Sequence, residues 1–193
     1  MRIIAGSFRG RQLSTTRDRS IRPTTDRAKQ AIFDILENRI EFTGIEVLDL
    51  FSGSGSLGLE ALSRGASAVT FVEKTRPSIA ILEKNIRALD CRKQTTIHQA
   101  DVFWFLKNAH RSFDLIFVDP PYRMERIGEL PVAIVSSKVL HPGSLVVLEH
   151  SRESTVPAPE SSFEVIRRQS GQTMILILTA RFPGGSGKKG TET

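Results

Sequence analysis

The distribution of apolar and polar positions predicts strands that alternate with helices along most of the chain. Nearly continuous apolar runs, typical of strands buried on both faces, are followed by segments whose apolar residues recur at helical spacing. The predicted strands are 47–50, 68–72, 95–98, 113–118 and 144–148, and the helical segments are 28–36, 57–62, 79–89, 102–109 and part of 124–140. This alternation predicts an α/β fold with a mostly parallel sheet and helices on both faces.

The two ends of the chain depart from this alternation. Residues 163–168 and 173–180 are strand-like, and the turn around Gly171 leaves no room for a helix, so we expect an antiparallel pair that closes the sheet. Residues 2–5 and 8–13 are expected to form an N-terminal β-hairpin that turns at Gly6-Ser7. The domains predicted are a basic N-terminal arm (1–24), a main domain (25–182) and a disordered Gly- and Lys-rich tail (183–193).

The most informative stretch is a strand that runs into a glycine-rich loop and then a helix. The loop (residues 51–58) contains Gly53, Gly55 and Gly58, and Gly65 is placed to terminate the helix that follows. The spacing of these glycines matches a dinucleotide-binding fingerprint, and Glu73 follows at the distance expected of a ribose-binding acid. We therefore expect a cofactor site here.

Asp49 decides which cofactor this loop favours. It lies four residues before Gly53 and would place a negative charge where a pyrophosphate binds. A cofactor with a positive centre and no phosphate suits this position, and S-adenosylmethionine is such a cofactor.

Four acids follow successive predicted strands. Asp49, Glu73, Asp101 and Asp119 all lie where those strands end, and the carboxyl edge of an open α/β sheet is where ligands bind. Glu73 is expected to accept hydrogen bonds from the two ribose hydroxyls. For Asp101, a role as a helix cap and a role in the site are both open.

The tetrapeptide Asp119-Pro120-Pro121-Tyr122 is the second distinctive motif. Its prolines fix the backbone and lack N–H donors, so nearby carbonyl groups can face a ligand. The Asp119 carboxylate and the Pro120 carbonyl could both accept hydrogen bonds from an exocyclic amine, and Tyr122 offers a ring on which a base can stack. The motif therefore favours a site for a planar amine.

The chain has 193 residues and a net charge of +6, and the positive balance lies at its N-terminus. The first 30 residues hold eight basic and two acidic side chains, whereas the remainder is balanced. Arginine-rich segments favour phosphate and base contacts, so the arm predicts nucleic-acid binding. The RNA-binding candidates are Arg9, Arg11, Arg17, Arg19, Arg22 and Arg27.

Cysteine and histidine content bounds the remaining chemistry. Cys91 is the only cysteine, which excludes an intrachain disulfide and favours a cytoplasmic protein. The four histidines have no ligand spacing, so no metal site is expected. No membrane-spanning run or secretory signal is visible, and we expect a monomer that does not bind membranes.

These motifs resemble those of a known family. The loop D-L-F-S-G-S-G-S-L-G, the segment F-V-E-K and V-D-P-P-Y are similar to Rossmann-type amino-group methyltransferases. With R-I-I-A-G-S-F-R-G-R-Q-L and R-P-T-T-D-R, the chain resembles the small-subunit ribosomal RNA methyltransferase D family from about residue 1 to 180. Ser52, Ser56 and Lys29 depart from the family pattern without removing a functional group.

The resemblance implies a Rossmann-like methyltransferase sheet and methylation of the exocyclic N2 of a guanine in 16S rRNA (guanine 966 in the name of the activity) with S-adenosylmethionine. It implies that the substrate is 16S rRNA, within a small-subunit assembly intermediate. It implies that Asp119, Pro120, Pro121 and Tyr122 hold the target base. The implied cofactor residues are Asp49, Phe51, Ser52, Gly53, Ser54, Gly55, Glu73, Lys74, Asp101, Val102 and Asp119.

Three other functions remain open at this point. A DNA adenine-N6 methyltransferase would use the same tetrapeptide, but little chain remains to read duplex sequence. The glycine spacing permits a nicotinamide-dependent dehydrogenase. The basic arm permits an RNA-binding module without catalysis.

Overall fold

The protein is an α/β domain built on one seven-stranded sheet, seen in a computed structural model that describes residues 1–15 and 26–181. The strands are β1 (Glu46–Leu50), β2 (Ala68–Glu73), β3 (Thr95–Gln99), β4 (Leu115–Val118), β5 (Leu145–Ser151), β6 (Phe163–Ser170) and β7 (Thr173–Ala180). The helices are α1 (Asp26–Leu36), α2 (Ser56–Ser63), α3 (Arg76–Leu89), α4 (Val102–Asn108) and α5 (Leu130–Val135). The predicted alternation of strands and helices is confirmed.

The strand order is β3-β2-β1-β4-β5-β7-β6. The first five strands along the chain are parallel, and β7 pairs antiparallel with both β5 and β6, as predicted. After β1 the chain first builds outward through β2 and β3 and then returns to place β4 on the other side of β1. The carboxyl ends of β1 and β4 therefore border a crevice at the topological switch point, the usual ligand site of such sheets.

Each face of the sheet packs against its own set of helices. Alternate strand residues such as Val47, Phe117 and Val147 pack with α1, α2 and α3, whereas Leu48 and Val118 belong to the layer under α4 and α5. Each layer contains a cluster of buried apolar side chains, which explains why the strands read as nearly continuous hydrophobic runs. None of the helices in the described part of the chain is long and apolar enough to span a membrane.

The N-terminal segment differs from the predicted hairpin. The chain does fold back antiparallel, but the two expected strands are reduced to one bridge between Arg2 and Gln12, and the reversal is longer than Gly6-Ser7. Ile3 N still donates to the Arg11 carbonyl across the reversal at 2.9 Å, whereas the backbone N–H groups of Ile4 and Ala5 donate to the carboxylate of Glu60 on α2. The segment is therefore docked on α2, with Ile3 in the core.

A buried ion pair fixes this docking. The Lys29 ammonium on α1 lies 2.9 Å from Glu60 Oε2 and donates to the Arg2 carbonyl at 2.7 Å. Arg64 Nε donates to Glu60 Oε1 at 3.1 Å. Burial lowers the pKa of Lys29, although the Glu60 charge offsets part of that effect. We call Lys29, Glu60 and Arg64 the charge hub; it joins α1, α2 and the N-terminal segment.

Candidate active site at the carboxyl edge of the sheet

The glycine loop (residues 51–58) has backbone angles that its sequence explains. Gly53 and Gly55 have φ angles of 52° and 79°, in the left-handed region that favours glycine. A β-carbon at Gly53 would have no side chain near it, so the loop is open to a ligand there. At Gly58 a β-carbon would lie 2.5 Å from the Phe71 ring, so only glycine lets α2 pack this closely on the sheet.

Asp49 at the end of β1 holds the far end of the glycine loop by a hydrogen bond. Its Oδ2 accepts a hydrogen bond of 2.9 Å from the backbone N–H of Gly58, and the residue is only 2% exposed. Burial raises the pKa of Asp49 well above its ordinary value, and the charges of Asp119 and Glu73 add to this effect. The carboxyl group therefore supports the loop and lies within a group of acids.

Glu73 and Asp101 lie at the ends of β2 and β3. The Glu73 carboxylate accepts from the backbone N–H groups of Gly53 at 3.0 Å and Thr75 at 2.8 Å, so it ties the loop to the start of α3. Asp101 caps α4, with Oδ1 accepting from Phe103 N at 3.0 Å. The expected capping contact is thus present, and a role of Asp101 in a ligand site stays a prediction.

Two further predicted cofactor residues flank Asp101. The Lys74 ammonium lies 3.5 Å from Asp101 Oδ2, and both side chains are largely exposed. Val102 is the first residue of α4, and its side chain is buried. Among the described side chains, the hydroxyl groups of Ser52 and Ser56 in the loop are buried without a hydrogen-bond partner. Buried polar groups normally have partners, so these hydroxyls fit a site that binds a polar cofactor.

The tetrapeptide that begins at Asp119 follows β4 directly. Asp119 is half-buried and Pro120 is buried, whereas Pro121 and Tyr122 are exposed. The Tyr122 hydroxyl forms a 2.6 Å hydrogen bond with Thr173 Oγ1 at the start of β7. Asp119 continues the strand alternation of Phe117 and so lies on the same face as Asp49, whose pKa it raises. The structure therefore brings both motifs to one edge.

Sequence reasoning missed Glu149. It lies on β5, is 5% exposed, and its Oε1 has no hydrogen-bond partner among the described residues. Burial raises the pKa of Glu149 well above its ordinary value, with further contributions from Asp119 and Asp49. The fifth strand was predicted to end at Leu148, because an acid breaks the apolar run. Asp49 is likewise an acid within an apolar run, and this shared pattern is the signal by which Glu149 could have been predicted as a site residue.

The predicted RNA-binding arginines are only partly within the described residues. Arg9 and Arg11 are exposed on the N-terminal segment, and the Arg11 guanidinium donates to the Ala88 carbonyl on α3. Arg27 is exposed on α1. Arg17, Arg19 and Arg22 lie outside the described residues, as does the tail from 183 to 193.

The N-terminal segment also contacts the glycine loop through one side chain. Asn85 of α3 accepts from Ser14 N at 2.8 Å and donates to both the Ser14 and Ser54 carbonyls, at 3.0 and 2.9 Å. Asn85 is 1% exposed, so these hydrogen bonds are shielded from water. The basic segment is thereby joined directly to the predicted cofactor loop.

Comparison with known proteins agrees with the geometry. The model of the family described as Conserved hypothetical protein 95 (Cons_hypoth95) matches residues 1–179. The Ribosomal RNA small subunit methyltransferase D of Haemophilus influenzae is 36% identical over 164 residues, which cover 83% of this chain and 84% of the relative. The solved structure of the yhhF protein of Escherichia coli has 30% identity and a TM-score of 0.82, covering 93% of this chain and 97% of its own.

A more distant solved structure shows the same fold. SMU.776, solved in complex with SAH, is 18% identical with a TM-score of 0.64, and the match covers 79% of this chain and 49% of that one. The fold and the acid-lined edge define a Rossmann-like domain of the methyltransferase type. The chain belongs to the Cons_hypoth95 family, and the predicted membership of the small-subunit ribosomal RNA methyltransferase D family is confirmed.

Proposed function

We propose that this protein methylates the exocyclic N2 amine of a guanine in 16S ribosomal RNA, with S-adenosylmethionine as methyl donor. The observation that carries the proposal is the convergence of the glycine loop, Asp49 and Asp119 at the switch point between β1 and β4. The name of the Haemophilus influenzae relative supports ribosomal RNA as the substrate class.

The cofactor is assigned to the loop side of the crevice. When bound, S-adenosylmethionine supplies a methyl group that is already activated on a sulfonium. Asp49 and the loop from Phe51 to Gly55 would face its positively charged methionine part. Glu73 would accept from the ribose hydroxyls, since each of its oxygens keeps a lone pair beside its backbone donor. Asp101, Lys74 and Val102 would border the adenine.

The target amine is assigned to the tetrapeptide side. Asp119 and the Pro120 carbonyl would accept the two N–H groups of the amine and hold it in line with the methyl group, a positioning effect of up to about 7–11 kcal/mol in favourable cases. The same two acceptors stabilise the positive charge that develops on the nitrogen during attack. Tyr122 would stack on the base, with its ring oriented by the bond to Thr173. The proton can leave after transfer, so no strong base is required.

RNA binding is assigned to the N-terminal arm. Arg9 and Arg11 are exposed on the N-terminal segment, and Arg27 is exposed on α1. The arginines at positions 17, 19 and 22 add to the positive charge of the arm. The base must leave its stack to reach Asp119, which favours a loop or a part-assembled subunit as substrate. The proposal includes a monomer that acts in the cytoplasm, where such subunits are assembled.

The test uses Asp119→Ala and Tyr122→Ala, with Asp34→Ala on the exposed surface of α1 as a control. Small subunits and naked rRNA from cells that lack the protein are incubated with labelled S-adenosylmethionine, and the product is identified by mass spectrometry. The wild type and the control should produce N2-methylguanine, whereas the two site variants should not. Calorimetry should show that both site variants still bind the cofactor.

The contrary outcomes are distinct. Near-normal turnover by either site variant would show that the tetrapeptide does not hold the base. Formation of N6-methyladenine in duplex DNA would favour the alternative substrate. Binding of NAD in place of S-adenosylmethionine would point to a dehydrogenase, and RNA binding without transfer would point to a non-catalytic module.

A further inference from the structure

Glu149 is the buried acid that the proposed mechanism does not use. In the sheet register Leu148 of β5 pairs with Val118 of β4, so Glu149 lies beside Asp119 at the next position of the two strands. Glu149 follows the alternation of Leu145 and Val147, which places it on the face that also carries Asp49 and Asp119. Three acids, two on β1 and β5 and one directly after β4, thus lie on one face at one edge of the sheet.

Tyr122 lies near the end of β5 that carries Glu149. Because β5 lies between β4 and β7, the Tyr122 side chain must cross the end of β5 to reach Thr173. Thr173 pairs with Ser151, two residues beyond Glu149 on the same strand. Asp119, Glu149 and the residue assigned to stacking on the base therefore all lie at the same end of neighbouring strands.

The unpartnered oxygen requires an explanation. Leaving a buried polar atom without a hydrogen bond is unfavourable by about 1–3 kcal/mol, and an apolar residue would continue the strand at no such cost. Glu149 Oε1 nevertheless has no partner among the described residues. An atom that is unsatisfied without ligand and borders a binding site is suited to a hydrogen bond made when the ligand binds.

We propose that Glu149 recognises the target guanine by hydrogen bonding to its N1–H and O6 edge. This inference rests on the proposed function and extends it to base selection. In guanine, N1–H lies next to the N2 amine and O6 lies next to N1, so a residue beside Asp119 meets that edge. A carboxylic acid offers one acceptor and one donor, which complement N1–H and O6 as a pair.

The surroundings of Glu149 favour the acid form that this pairing needs. Burial raises its pKa well above the ordinary value, and the negative charges of Asp119 and Asp49 raise it further.

The test varies the enzyme and the base together. The modified nucleotide is first mapped with the wild type, and rRNA is then ligated around a synthetic segment carrying guanine or 2-aminopurine there and bound to ribosomal proteins. 2-Aminopurine keeps the N2 amine but lacks N1–H and O6. Methyl transfer to each is compared for the wild type, Glu149→Gln and Glu149→Met. Gln keeps one acceptor and one donor in the same shape, and Met keeps only the length.

The wild type should prefer guanine by roughly 10- to 100-fold, as expected for a bidentate contact to a base. Glu149→Gln should keep that preference. Glu149→Met should reduce it to about twofold, the deviation from additivity that is usual for changes that do not interact. A purely structural role would lower both rates equally and leave the ratio unchanged. Cofactor binding and thermal unfolding of each variant establish that it is folded.

Three results would overturn the inference. They are a wild type that does not distinguish the two bases, a Glu149→Met variant that retains the wild-type preference, and a Glu149→Gln variant that loses it as Met does. The first of these needs no variant, so the test survives if Glu149→Met does not fold. Failure of the proposed function is recognised separately, because the wild type would then methylate neither base at N2.

Discussion

Removing the negative charge of the charge hub should destabilise the protein far more than removing a surface charge next to it. Glu60 is fully buried and its carboxylate accepts from Lys29, Arg64 and the backbone of the N-terminal segment. Glu37 pairs with the same Arg64, but its side chain is 55% exposed. Glu60→Gln and Glu37→Gln therefore make the same chemical change on two partners of one guanidinium.

The expected magnitudes differ because of burial. Glu60→Gln removes the carboxylate that is paired with the Lys29 ammonium, itself 0% exposed, and breaking a buried pair in this way costs about 3–5 kcal/mol. A typical domain is stable by about 5–15 kcal/mol, so this loss is a large part of the total. Glu37→Gln should cost about 1 kcal/mol or less, the usual contribution of an exposed pair. Lys29→Met should fall between the two, because it also removes the burial penalty of the ammonium.

Urea unfolding followed by circular dichroism measures all three variants. The slope of the free energy with urea should be unchanged, since the surface exposed on unfolding is the same. Hydrogen exchange at the amides of Ile4 and Ala5 should accelerate in Glu60→Gln, because those amides donate to its carboxylate. A cost for Glu60→Gln within about 1 kcal/mol of that for Glu37→Gln would refute the view that the hub anchors the N-terminal segment.

Three further outcomes are expected. Gly6→Ala should detach the N-terminal segment and weaken RNA binding, because a β-carbon at Gly6 would lie 1.7 Å from a backbone oxygen of α2. Gly10→Ala, also at positive φ but with open space around it, should not have this effect. Equal RNA affinities of the two variants would contradict the prediction. Glu149→Gln should be more stable than the wild type above pH 4.5, by about 1.4 kcal/mol for each pH unit up to the folded-state pKa of Glu149, because the unfolded wild type loses its proton there and the folded wild type does not. Below pH 4.5 the acid is protonated in both states and the gain should vanish. The exposed Glu153→Gln should show no such pH dependence in urea titrations. Tyr122→Phe, which loses the bond to β7 but keeps the ring, should retain most methyl transfer in the rRNA assay, and loss equal to that of Tyr122→Ala would assign the function to the hydroxyl.

Much of the fold was predictable because the sheet is parallel and covered on both faces. Strands of this kind have nearly continuous apolar sequences, and the predicted strand 47–50 differs from β1 by one residue at its start. The last strand pair followed from the short turn at Gly171. Boundaries failed where chemistry interrupts the pattern. Glu149 ends the apolar run, yet β5 continues to Ser151 because β7 pairs along its full length.

Contacts between distant parts of the sequence were not predictable. Glu60 on α2 is fully buried, and its carboxylate accepts from the backbone of Ile4 and Ala5, which lie 56 and 55 positions earlier in the chain. Lys29 was noted only as a departure from the family pattern, and its burial depends on the same carboxylate. A single sequence carries no signal for which distant donor a buried acid will meet, so the burial of Glu60 and Lys29 could not be predicted.

The separation of charge explains how a basic protein can have an acidic site. The positive balance lies in the first 30 residues, while Asp49, Asp119 and Glu149 share the carboxyl edge. Under the proposed function, the arginines attract RNA phosphates, whereas the carboxyl groups of the crevice do not. The RNA backbone is then held at the rim, and an uncharged base can enter only by leaving its stack. Asn85 on α3 bonds to both Ser14 and Ser54, so the basic N-terminal segment and the predicted cofactor loop are held together by one buried side chain.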